Sequence, residues 1–329
     1  MSRFLVEEKP KQARFKAESS YISEPARTEG FYRKHPYPYC LPDESACENL
    51  FSEIRWPIRN YFALHEIKWH DGHDHNPSNH LCDSQVCGAN FLFPFFDKKE
   101  ALAVLLRPVF PDLQKMLKIE DDQYVAFEWI GEKNYLGEKI SRNKKRPRGA
   151  LFTSADAAVM FERQDGQKQI VLIEWKYTES YFPTSLKFAR NSGTDRTKIY
   201  EHLYLADDCP ISRELIPTFD DLFYEPFYQL MRQQFLAHEM EKAHELGADR
   251  VSLLHISPRH NQDFTRVTSP ALQGLAPSAT AVWSKLVKNP DRFSAVYSED
   301  IFGRFPVERF SELANWWRYI IARYPWAQG

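Results

Sequence analysis

The segment QIVLIEWKYTE, residues 169–179, decides how this chain is read. Side chains on a strand alternate between two faces. Ile170, Leu172, Glu174 and Lys176 therefore share one face, and Val171, Ile173, Trp175 and Tyr177 the other. Both faces begin apolar, which marks a central strand covered on both sides. Charge is costly in such a place unless it is paired or put to use. Glu174 and Lys176 need a reason to be there.

The preceding segment, TSADAAVMFE at 153–162, repeats the anomaly. Asp156, Ala158 and Met160 share one face, and Ala155, Ala157, Val159 and Phe161 the other. Asp is a poor strand former. Asp165-Gly166 between the two segments signals a hairpin. A three-residue loop, Gln164-Asp165-Gly166, lets Gly166 supply the left-handed position of a type I turn with a bulge. Arg163 then faces Gln167, and Asp156 falls opposite Glu174 with Lys176 one step along. A two-residue loop would instead pair Asp156 with Trp175 and scatter the charges. Two adjacent carboxylates repel unless a cation lies between them, and Mg²⁺ held by one or two carboxylates and water is a common solution. Lys176 adds a cation beside an attacked phosphate. That is a phosphodiesterase site in outline.

Asp156 followed by Glu174-Trp175-Lys176, on neighbouring strands flanked by helices, resembles the PD-(D/E)xK nuclease superfamily. Ala155 stands where the motif has proline. The stretches TSADAAVMF and LIEWKYTESY, with Ser84-Gln85 and Asn90 upstream, are similar to an uncharacterised bacterial family of restriction endonucleases. The similarity runs from about Trp69 to Ser257. It implies a restriction-endonuclease-like α/β (α+β) core, a mixed sheet flanked by helices. It also implies that Asp156 and Glu174 ligate Mg²⁺, with Mn²⁺ able to substitute, and that Lys176 is the catalytic lysine. A helix carrying Gln after the Glu-x-Lys strand resembles the RecB-like branch, which points to Gln229, with Gln233 on the same helix face. Glu128 and Glu138 are both candidates for a third carboxylate, and Glu138 is the one carried forward.

The rest of the chain frames this centre. Residues 1–40 are polar and read as a weakly ordered arm. The core spans 41–260, and 261–329 is a helical extension packed on it. Helices are expected over 43–69, 84–96, 100–106, 113–119, 226–246, 279–287 and 308–323. Strands are expected over 123–130, 153–162, 169–179 and 251–256, and a long polar loop over 181–221. The helical spacing of Leu313, Trp317, Ile320 and Tyr324 reads as core packing.

The chain has 329 residues, 43% of them hydrophobic, enough for a substantial core. Lys plus Arg number 43 and Asp plus Glu 45, a net charge of −2, which excludes a uniformly basic binder. Basic charge is concentrated instead in KISRNKKRPR, 139–148, just before the Asp156 strand. Arg142, Lys144, Lys145, Arg146 and Arg148 are candidate contacts to a double-stranded DNA backbone. Arg232 is a further candidate.

The loop WHDGHDHNPSNHLCDSQVC at 69–87 holds His70, His73, His75, His80, Cys82 and Cys87, donor types that suit Zn²⁺ at a spacing that matches no common zinc module. Five cysteines do not make a disulfide framework, and no membrane span or signal peptide is evident, so the expected place is the cytosol. A palindromic target would imply a homodimer. The rival to the nuclease reading is a non-catalytic or zinc-stabilised nucleic-acid-binding protein on the same fold.

Overall fold

The charged strand pair lies inside a six-stranded mixed sheet. The computed structural model describes residues 2–73, 75–138, 146–150 and 152–329. A small hairpin comes first, β1 (Gly30–Tyr32) and β2 (His35–Tyr37). The main sheet is built from β3 (Leu113–Leu117), β4 (Val125–Trp129), β5 (Ala155–Arg163), β6 (Lys168–Trp175), β7 (Arg250–Ser257) and β8 (Phe293–Tyr297), in the order β3-β5-β6-β7-β8, with β4 also paired to β5. The β3–β5, β4–β5 and β5–β6 pairs are antiparallel, whereas β7 runs parallel to β6 and β8 parallel to β7.

The β5–β6 register is the one the three-residue loop requires. Ala157 pairs with Ile173 and Glu162 with Lys168. Arg163 N donates to Gln167 O at 2.8 Å, and Gly166 takes a left-handed φ of +83°. On one face, Val171, Ile173, Trp175 and Tyr177 join residues of α1 (Arg3–Glu18), α2 (Arg55–Leu64), α3 (Ser84–Leu92), α4 (Lys99–Leu106), α8 (Ser298–Phe302) and α9 (Ala314–Arg323) in one apolar cluster. On the other, Ala158, Met160, Ile170 and Leu172 pack with α5 (Thr197–Leu205), α6 (Phe227–Lys242) and α7 (Ala279–Leu286). Each large aliphatic side chain so buried contributes about 1.5–3 kcal/mol. Leu313, Ile320 and Tyr324 are buried, as their spacing predicts.

Several elements differ from the sequence reading. Residues 1–40 are not a loose arm. Helix α1 is capped by Ser2, whose hydroxyl accepts from Leu5 N at 3.2 Å, and it buries Phe4, Glu8, Gln12, Phe15 and Lys16. Its inward stripe is largely polar, so hydrophobic periodicity is blind to it. Tyr177 OH donates to Glu8 at 2.7 Å, and Gln12 donates to Tyr177 OH at 3.1 Å, tying α1 to the end of the central strand. The segment 113–119 is strand β3 rather than helix, because it pairs with β5. Helix α5 lies inside the expected 181–221 loop. The region beyond 261 supplies β8 as well as helices, so it completes the sheet rather than only extending it. Asp83 caps α3, accepting from Val86 N at 2.8 Å. No helix among the described residues is long and apolar enough to cross a membrane.

Candidate active site

The sheet register lines up four side chains across four strands. Glu174 on β6 pairs with His255 on β7. Ala157–Ile173 is the last β5–β6 pair before Asp156 and Glu174 come level. On the other side, Phe127 pairs with Ala157 and Trp129 with Ala155, which leaves Glu128 across from Asp156. Glu128 adopts a left-handed φ of +49°, a strained conformation for a non-glycine residue inside a strand. Glu128, Asp156 and Glu174 thus form a carboxylate row, and all three line a cavity of about 490 Å³ together with Lys176, Gln85 and Gln229.

Glu174 is 2% exposed and Lys176 6%. Lys176 Nζ donates to Glu174 Oε1 and Gln233 Nε2 to Glu174 Oε2. Gln233 also donates to Ser154 O at 3.0 Å, bridging α6 to the start of β5. Asp156 Oδ2 accepts from Trp175 N at 2.7 Å, whereas among the described residues no hydrogen bond engages Oδ1. Burial and the charge of Glu174 push the Asp156 carboxyl well above the usual carboxylate range, against the pull of Lys176. Burial raises Glu128 too, opposed by hydrogen bonds from Gln85 at 2.6 Å and Ser154 at 3.0 Å, with Glu174 adding repulsion. Burial opposes the Lys176 ammonium, but Glu174 and its neighbouring carboxylates outweigh it, so the lysine stays charged. His255, buried and stacked on Phe264 at 5.3 Å, is pushed down to about 3 by burial and by Lys176, so it is neutral.

The predicted residues separate cleanly. Asp156, Glu174 and Lys176 come together. Gln229 reaches the cavity wall, but Gln233, one turn on, is the glutamine that holds Glu174. Glu138 lies elsewhere: it accepts from Thr153 N at 2.8 Å, Thr153 Oγ1 at 2.6 Å and Tyr200 OH at 2.8 Å, and so braces the approach to β5. The third carboxylate of the cluster is Glu128.

Arg142, Lys144 and Lys145 lie outside the described residues. Arg148 is a correction. It is 9% exposed and donates to Glu128 O at 3.1 Å, Glu120 at 2.7 Å, Tyr61 OH at 3.1 Å and Phe127 O. It clamps the strained backbone at Glu128, with Nε, Nη1 and Nη2 all turned inward onto protein acceptors. Arg146 likewise donates to Gly131 O at 3.2 Å and Ile130 O at 2.7 Å. Arg232 stacks over Tyr228 at 4.6 Å and reaches Thr153 Oγ1 at 3.3 Å.

The 69–87 loop lines the same cavity through His70, His80 and Cys82. His80 sits edge-on to Tyr32 and Tyr39, both at 5.0 Å. Burial raises the Cys82 and Cys87 thiols, the opposite of what a thiolate ligand needs. Asn90 accepts from Phe51 N at 2.7 Å and is structural. Gln85 is not: its amide joins His70 N, at 2.8 Å, to Glu128. Among the described residues, no three or more His, Cys, Asp or Glu side chains converge as a ready-made metal cage.

Mg²⁺ does not require such a cage, since one or two carboxylates plus water and substrate oxygens suffice. The row fits that demand. It holds hard oxygen donors, more carboxyl groups than Lys176 alone can pair, an Asp156 oxygen with no hydrogen bond among the described residues, and an open cavity.

A family model of restriction endonucleases associating with ARP matches residues 9–325. The chain belongs to this family. The match is wider than the 69–257 stretch that carries the similarity in sequence, and it takes in the C-terminal part of α1 and all of α9. No curated protein and no solved structure matches the chain. Membership in a restriction-endonuclease family agrees with the mixed sheet and its flanking helices.

Proposed function

We propose that this family member is a Mg²⁺-dependent DNA endonuclease that hydrolyses phosphodiester bonds at the carboxylate row. The observation that carries the proposal is the Glu128–Asp156–Glu174 row with Lys176, opening onto one cavity, with Glu128, Glu174 and Lys176 buried and Asp156 half-buried. Asp156 and Glu174 hold the ion, with Mn²⁺ able to replace Mg²⁺. The ion supplies Lewis acidity toward water and the phosphoryl oxygens. Lys176 stabilises charge on those oxygens as water adds to phosphorus and one P–O ester bond breaks. Gln233 and Lys176 together fix the carboxylate plane of Glu174. Gln85, Ser154 and Arg148 hold Glu128 at the edge of the row.

The test is cleavage of plasmid and linear DNA with Mg²⁺ or Mn²⁺ by the wild type, Glu174→Ala and Lys176→Ala. Cleavage by the wild type alone supports the reading. Equal activity in all three refutes it. DNA binding with no cleavage by any of them would establish the non-catalytic alternative.

A further inference from the structure

The small hairpin β1–β2 stands at the mouth of the same cavity, to which it contributes Tyr32. Gly30 pairs with Tyr37, Phe31 with Pro36 and Tyr32 with His35, so the loop is the two residues Arg33-Lys34. Both are left-handed, with φ +50° and +68°. This is the type I′ geometry that favours Asn-Gly, because L side chains are strained there. Two long basic side chains occupy the strained positions instead. The hairpin carries Arg33, Lys34 and His35 and no acidic residue.

Its base is rigid and its tip is free. Asn79 donates to Phe31 O and Leu41 O, both at 2.7 Å, and a Cβ on Gly30 would lie 2.2 Å from Cys40 O. The Arg33 side chain is 75% exposed, held among the described residues by Asp71 at 3.6 Å and by the Tyr32 ring at 5.0 Å. Lys34 has no partner among the described residues, and Phe31 is 47% exposed. Tyr32 OH bonds to Asp71, and its ring meets His80 edge-on, which seats the hairpin against the cavity wall.

We infer that this hairpin is a DNA-contacting finger that lays Arg33 and Lys34 against the duplex beside the bond to be cut. The major groove admits a two-stranded β-ribbon, and cationic tips gain affinity from phosphates and specificity from base edges. The inference rests on the DNA endonuclease reading and names the element that grips the duplex in that reading. It also accounts for the strain, since basic residues are kept where Asn-Gly would be more stable.

The double variant Arg33→Asn, Lys34→Gly separates binding from structure. Fluorescence anisotropy with a 30-base-pair duplex, in Ca²⁺ and in EDTA over a salt series, is paired with thermal melting. The finger predicts weaker binding, by about tenfold or more, and a log Kd–log salt slope smaller by about two. The melting temperature holds or rises, because the turn is relieved. Lys34→Gln alone loses less affinity and reduces the slope by about one. Unchanged affinity and slope in the double variant would overturn the finger while leaving the endonuclease reading standing. A wild type that binds no duplex at all in either buffer would overturn both.

Discussion

Two buried cations in this molecule are treated in opposite ways. Arg323 on α9 is 1% exposed, and every donor group is satisfied by neutral acceptors: Gln12 at 3.1 Å, Leu81 O at 3.0 Å, Tyr319 OH, and the backbone and side chain of Asn49. It ties α1, the 49–81 region and α9 into one knot, far along the chain from β5 and β6. Lys176 is nearly as buried, but it sits among carboxylates that its single charge cannot neutralise. A saturated buried charge organises a fold. A cluster with more carboxyl groups than cations and a cavity in front of it is unfinished until a ligand arrives, and such perturbed groups gather at functional sites.

The largest effects should come from breaking either half of this contrast. Lys176→Ala should cut DNA cleavage by roughly 10²–10³-fold while circular dichroism shows the fold retained. Arg323→Ala should do the reverse. It leaves buried oxygens without donors and lowers stability by about 1–3 kcal/mol for each group left unsatisfied, seen as an earlier urea midpoint, while cleavage per folded molecule is kept.

Asp156→Asn sharpens the contrast through pH. The folded-state pKa of Asp156 is raised, so the folded protein holds a proton that the unfolded chain has released. Stability contributed at this site is therefore full below the ordinary carboxylate pKa and falls as pH rises above it. In metal-free buffer at pH 8 the Asn variant should be more stable than the wild type by about 1–2 kcal/mol. The gap should close as pH falls toward 4. A melting series at fixed ionic strength checks it, and a gap that widens on acidification would contradict the assignment.

Smaller effects separate the two glutamines and the two glutamates. Gln233→Leu should lower cleavage about tenfold by freeing Glu174, a charge-assisted hydrogen bond being worth about 1.5–3 kcal/mol. Gln229→Leu should change it less. Glu138→Gln should alter cleavage least of all and appear mainly as a loss of about 1 kcal/mol in stability, because Glu138 braces Thr153 and Tyr200 outside the row.

The same contrast explains what could be read in advance. Asp156, Glu174 and Lys176 were legible because strand periodicity and the Asp165-Gly166 turn are local rules, and together they fix a register. Glu128 was not singled out, because its place depends on a left-handed residue inside β4 and on Arg148 gripping the backbone behind it. Arg148 looked like a phosphate contact because composition shows charge but not its partners. Helix α1 and the Arg323 knot escaped for a related reason: polar residues that bury themselves by pairing across more than 250 positions leave no periodic trace. Gln85 and Gln233 were noticed by type, but only tertiary packing shows which carboxylate each one holds.

The central claim is that the carboxylate row, with more carboxyl groups than Lys176 can pair, exists to hold a divalent cation. Calorimetric titration of Mn²⁺ into the DNA-free protein tests it most directly, with Asp156→Asn and Glu174→Gln titrated alongside. The account predicts saturable binding by the wild type and its loss in both variants, each still folded by circular dichroism. Equal binding by all three proteins, or none by the wild type, would contradict it.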